Sequence, residues 1–185
     1  MSFELKALIF ILVSSGIIWL SRASLFKFKS RGLYRLITWE VILILILYNI
    51  DYWFLEPLCI RQITSWFLLS VSSFMVIYGA WLLHKVGKPN RKRKDEGLIG
   101  IEKTTQLVTS GLYRYIRHPI YSSLLYGAWG VFLKHPSFTS ACLTIMATFF
   151  LTVTAKTEEA ENIRFFGNSY QDYMKQTKMF IPFIF

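Results

Sequence analysis

Arg117, His118 and Pro119 stand between Tyr113 and Tyr121 in the stretch GLYRYIRHPIY, where a polar loop runs into an apolar segment. Proline is at home in the first turn of a helix, where its missing N–H costs nothing, and a histidine just before it can serve as the cap. The free amides and dipole of such a helix end attract a carboxylate or phosphate, with Arg117 beside them to share the charge. The same set would also make an interfacial anchor, Arg117 reaching lipid headgroups and the tyrosines forming an aromatic belt. About forty residues further on, Glu158, Glu159 and Glu161 form a second polar cluster. A carboxylate there is suited to accept both hydroxyls of a ribose, or simply favours the dipole of a first helical turn. Tyr113 and Tyr121 offer aromatic faces to a cation or an adenine ring.

The elements that must position these residues are apolar. Of 185 residues, 54% are hydrophobic and 17% aromatic, and the mean hydropathy is +0.40. The apolar residues gather into long runs at 5–20, 36–55 and 63–83, followed by shorter ones at 119–133 and 138–155. A helix needs about 20 residues to cross hydrocarbon, so the pattern predicts an all-α polytopic membrane protein with about five transmembrane helices. The fourth run covers only about 22 Å at 1.5 Å per residue, against a core of about 30 Å. It must extend into Tyr113–His118, tilt little or turn back. The first run lacks a basic leader and a small-residue cleavage site, so it reads as a retained helix rather than a signal.

Charge supports this count. With the amino terminus outside, the outer segments hold Lys6, Arg61 and Lys134, and the remaining 18 of the 21 Lys and Arg fall inside. The positive-inside rule then puts both polar clusters on the cytoplasmic side. The net charge of +10 and the run KPNRKRK at 88–94 fit a juxtamembrane basic cluster facing anionic lipid, so no nucleic-acid partner is expected. Cys59 and Cys142 are isolated and read as packing residues. His84 and His135 have no second ligand at metal spacing, so no metal site is expected. Asn49, Asp51 and Glu56 lie near the outer end of the second helix, close enough to the boundary to be solvated.

The chain divides into three amino-terminal helices (1–83), a cytoplasmic connection (84–118), a helical hairpin (119–154) and a cytoplasmic tail (155–185). KHPS at 134–137 marks the hairpin turn. Such a hairpin brings its two open ends together, so His118 and Glu158 can share one site. The tail reads as an amphipathic helix carrying Ile163, Phe166, Tyr170 and Tyr173, bent or interrupted at Gly167.

LVTSGLYRYIRHPIY at 107–121, EEAENIRFFGNSYQDY at 158–173 and a terminal FIP together resemble the isoprenylcysteine carboxyl methyltransferase family, which shares its carboxyl-terminal half with phospholipid N-methyltransferases. The resemblance covers roughly residues 105–182. It implies S-adenosylmethionine as cofactor, bound at the cytoplasmic helix ends. Leu107 and Val108 would contact it through the loop backbone and Tyr113 would pack on it. His118, Pro119 and Tyr121 would hold its methionine portion, and Glu158 its ribose.

Two positions depart from that pattern. Thr105 replaces a histidine usual before the Leu-Val pair, and Thr154 replaces an arginine held to meet the carboxylate of prenylcysteine. The implied function is an S-adenosylmethionine-dependent membrane methyltransferase acting on a lipid-like or hydrophobic acceptor. Arg117 and Glu159 are its candidate catalytic residues, Glu159 as the base that an amine or thiol acceptor would need. A phospholipid N-methyltransferase, a thiol methyltransferase, and a non-catalytic membrane module that keeps the scaffold are the alternatives.

Overall fold

The computed structural model describes residues 1–22, 30–88 and 104–184. The described residues form α1 (Phe3–Ser21), α2 (Arg31–Asn49), α3 (Ile60–Lys85), α4 (Pro119–Phe132), α5 (Phe138–Phe166) and α6 (Asn168–Gln176), with short 3₁₀ turns at Ile50–Tyr52 and Gly111–Arg114. Residues 89–103, including most of the basic run at 88–94, lie outside the described residues.

Serines start three of these helices. The Ser2 and Ser30 hydroxyls accept from the amides of Leu5 and Leu33, and Ser137 exchanges bonds with Ser140 in a capping box. Each satisfies an amide that the helix itself leaves free. Four helices among the described residues are long and apolar enough to cross a membrane: α1, α2 with its 3₁₀ extension, α3 and α5. The fourth apolar run forms α4, which is shorter than these four. Pro119 is its first residue, and Tyr113–His118 does not extend it, forming a 3₁₀ turn and a bridge from Ile116 to Lys178 instead. Its 14 residues reach only about 21 Å.

The segment after α6 fills the space below that short helix. Arg117 N–H donates to the Lys178 carbonyl at 2.8 Å, His118 N–H to Met179 at 3.3 Å, and the Ser122 hydroxyl to Phe180 at 2.9 Å. Met179 and Phe180 join Tyr121, Leu125, Leu151 and Ala155 in a core under α4 and α5. A second core, of Val41, Leu45, Ala128, Val131 and Ala147, binds α2 to the hairpin.

Small and hydroxylated residues let the helices approach. At Gly130 an added Cβ would lie 3.1 Å from Leu69 Cγ, and the Ser65 hydroxyl donates to the Gly130 carbonyl at 2.6 Å. Within α5, Thr144, Thr148, Thr152, Thr154 and Thr157 each donate to the carbonyl four residues earlier, which satisfies hydroxyls that apolar surroundings would otherwise strand. At the end away from the two clusters, Arg61 donates to the Leu133 and Lys134 carbonyls. Lys134 is buried, bonded to Gln62 at 2.9 Å and 3.4 Å from the Trp66 ring centroid. Asn49 braces α2 against the Val131 carbonyl, Asp51 pairs with Lys6, and His135 stacks on Tyr52.

α5 runs on past Ala155 without a break, so Glu158–Phe166 forms its last turns rather than the start of a separate tail helix. Gly167 ends it. With φ +62° and ψ −138° it adopts a conformation nearly restricted to glycine, and α6 leaves in a new direction with Tyr170 and Tyr173 buried.

Candidate functional site

The two clusters meet where the start of α4 faces the last turns of α5. Tyr121, in the first turn of α4, donates its hydroxyl to Glu158 Oε2 at 2.6 Å. His118 Nδ1 lies 3.9 Å from Glu158 Oε1, and its Nε2 lies 3.4 Å from Glu159 Oε1. His118 occupies the N-cap position, but its side chain makes no capping bond. The expected cap is corrected accordingly: the imidazole turns toward the glutamates and stacks on Tyr121 with ring centroids 5.5 Å apart.

Arg117 is engaged within the protein. Its Nε donates to Glu159 Oε1 at 2.6 Å, and its Nη1 donates to the carbonyls of Met174 and Thr177 at the end of α6. The guanidinium therefore clamps α6 to α5 as well as facing the site. Glu159 is 7% exposed and committed to this clamp.

Two adjoining clefts open here. The first is lined by Leu83, Thr104, Leu107, Val108, Tyr113, Arg117, Glu158, Asn162, Phe166, Tyr170 and Tyr173, and holds about 470 Å³ counting its mouth. Leu83, Tyr113, Arg117, His118, Ile120, Tyr121 and Glu158 line the second, of about 310 Å³. The two share Leu83, Tyr113, Arg117 and Glu158, and both are narrow in this conformation. Glu158 lies on both. Pro119 lines neither; it packs against α3, where a Cβ on Gly79 would be 3.3 Å away.

The walls are held by the loop before α4. Val108 and Tyr113 pack with Leu82 of α3, and the Tyr173 hydroxyl donates to the Tyr113 carbonyl at 2.6 Å. Burial pushes the Tyr170 and Tyr173 hydroxyls above their usual range, with Glu158 adding to the effect at Tyr170. Both remain neutral donors at any ordinary pH.

Several lining residues were not singled out by sequence: Leu83, Thr104 and Asn162. Phe166, Tyr170 and Tyr173 were read only as an apolar helix face. Arg31, first residue of α2, was read only as a topological charge. It is fully buried, with Nη1 2.9 Å from Glu158 Oε2 and Nε 3.4 Å from Glu161 Oε2. The one signal available was a cation in the first turn of a helix, where the dipole disfavours it. Thr154 is also buried, with its hydroxyl turned back to the Phe150 carbonyl, and it brings no charge to the site.

Apolar helices of membrane length, with a cleft where α4 and α5 meet, define a polytopic integral membrane protein. A family model described as phospholipid methyltransferase matches residues 60–169, and the chain belongs to that family. It is 38% identical over 114 residues to a protein-S-isoprenylcysteine O-methyltransferase of Schizosaccharomyces pombe, covering 61% of this chain and 44% of that protein. A probable protein-S-isoprenylcysteine O-methyltransferase of Oryza sativa subsp. japonica is 34% identical over 123 residues, 64% of this chain and 63% of that protein. Methanethiol S-methyltransferase 1 of Bradyrhizobium diazoefficiens is 30% identical over 125 residues, 64% of this chain and 39% of that protein. The chain spans about half the length of the curated relatives it matches. No solved structure matches it.

Proposed function

We propose that the chain is a membrane methyltransferase that uses S-adenosylmethionine on a hydrophobic or lipid-like acceptor, with its site on the cytoplasmic side and its amino terminus outside. The observation that carries this reading is Glu158. It lies on both clefts, Tyr121 and Arg31 bond one of its oxygens, and the other is uncommitted apart from His118 Nδ1 at 3.9 Å.

That oxygen suits a ribose diol. Phe166 and Tyr170, stacked at 6.4 Å, add aromatic surface for a flat base beside Leu107, Val108 and Tyr113. His118, Pro119 and Tyr121 are the residues for the amino-acid portion. The cofactor, when bound, supplies an electrophilic methyl on a sulfonium for in-line displacement. The protein's own part is to align the acceptor and keep water out, which the buried aromatic walls favour. A carboxylate acceptor needs no base. An amine or thiol must lose a proton, and Glu159 would supply the base by releasing Arg117 or His118.

The acceptor's apolar part would lie among the helices and its polar head at the clefts. The relatives named for isoprenylcysteine and for methanethiol support both a carboxylate and a thiol acceptor. Thr154, which brings no charge, favours an acceptor other than a carboxylate, and it equally suits a second reading as a non-catalytic binding module.

Binding of S-adenosylhomocysteine to the detergent-solubilised protein tests the site. Wild type should bind and Glu158→Ala should bind much more weakly; no binding by wild type would end the enzyme reading. Incubation with labelled methyl donor and total membrane extract then identifies the acceptor. Base-labile label means a carboxyl ester, and stable label means nitrogen, sulfur or an ether. Binding without label in any lipid fraction would favour the module.

A further inference from the structure

We propose that Arg31 is a positioning residue of the site, reaching in from α2 to fix which oxygen of Glu158 is offered to the ligand. This rests on the reading of Glu158 as the ribose-binding carboxylate. Residue 31 lies well outside the 60–169 segment that defines the family match, so the contact is a feature of this chain's amino-terminal half.

Three observations carry it. Arg31 is 1% exposed although it is the first residue of its helix. Burying a guanidinium is expensive unless it is paired, and the amino-terminal end of a helix dipole adds to the cost. α2 lies along α5, where Glu158 and Glu161 receive the charge.

The second observation is which oxygen Arg31 takes. Its Nη1 and the Tyr121 hydroxyl converge on Oε2, at 2.9 Å and 2.6 Å. Two donors on one oxygen fix the carboxylate plane and leave Oε1 to accept from a diol.

Glu161 provides the third. One turn beyond Glu158 on α5, its Oε2 is 3.4 Å from Arg31 Nε, so the guanidinium is held from two directions. A planar fork presents two nitrogens to the two carboxylates in a fixed geometry, where a lysine would bring a point charge on a flexible stem. The ligand site is therefore assembled from both halves of the chain, with α2 setting the orientation of a group carried by α5.

The test compares S-adenosylhomocysteine with its 2′-deoxyribose analogue, measured by calorimetry on the full chain in detergent. Wild type should prefer the ribose ligand by roughly tenfold or more, as expected for a hydrogen bond to a charged acceptor. Arg31→Met should lose most of that preference, with weaker binding of the ribose ligand and little change for the analogue. Where Arg31→Met does not yield folded protein, Arg31→Lys serves, with a partial loss expected. An equal fall for both ligands would make Arg31 a structural residue and overturn the proposal, as would a full wild-type preference in either variant. Equal binding of the two ligands by wild type would remove the ribose reading of Glu158 itself, and the proposal with it.

Discussion

The Tyr173 hydroxyl donates to the carbonyl of Tyr113 at 2.6 Å, tying α6 to a loop residue 60 positions earlier. Both residues are buried, and both line the larger cleft. The bond decides how far the loop before α4 stands from the helix that closes the site.

Tyr173→Phe removes that donor and leaves a buried carbonyl without it. A loss of about 1–3 kcal/mol is expected for a stranded polar group. Thermal melting should show it, together with weaker S-adenosylhomocysteine binding. Unchanged melting and binding would mean that the loop is held by its apolar contacts alone.

Glu159→Gln separates two roles for one carboxylate. Its charge answers Arg117 at 2.6 Å in a mostly buried setting, so its loss should destabilise the fold by roughly 3–5 kcal/mol, as for a broken buried pair. Turnover of folded protein at saturating acceptor should fall less than stability does. Unchanged melting with a lowered kcat and a shifted pH profile would instead identify Glu159 as the base.

At Gly167, alanine would have to adopt φ +62°. Strain of about 1–3 kcal/mol is expected. Because α6 starts there, Gly167→Ala should weaken ligand binding through Tyr170 and Tyr173 more than a surface substitution such as Gln171→Ala does. Calorimetry on both variants checks this.

Burial holds the Lys134 ammonium below its ordinary value of 10.5, and neighbouring Arg61 adds to the effect. Between that lowered value and 10.5 the folded protein binds fewer protons than the unfolded chain. Stability therefore rises with pH through that window and is flat below it. Melting temperatures of wild type measured from about pH 8 upward should climb relative to those of Lys134→Met, in which this titration is absent.

What the sequence made legible follows from the range of the forces involved. Apolar runs near membrane length mark α1, α2, α3 and α5, and Pro119 and Gly167 mark a helix start and stop through their own backbone chemistry. The meeting of His118 with Glu158 was legible because a hairpin closes on itself. The continuation of α5 through Lys156–Glu161 was not. Polar residues there resemble a solvated tail, and only docking against Arg31, Arg117 and Tyr121 shows them to be a packed helix. Arg31 was hidden for a related reason: a cation beside a membrane segment is explained by topology before any partner is sought. The short α4 was visible as a length problem, but its solution, a segment returning beneath it, is a long-range contact that no local pattern records.

That returning segment also ties the site to the core beneath it. Residues 178–180 bond the backbone and side chains of Arg117, His118 and Ser122, and Arg117 reaches the Thr177 carbonyl. Contacts separated by about 60 positions thus join the start of α4 to the stretch after α6, so loosening that stretch should unseat the base of the clefts and the core under α4 and α5 together.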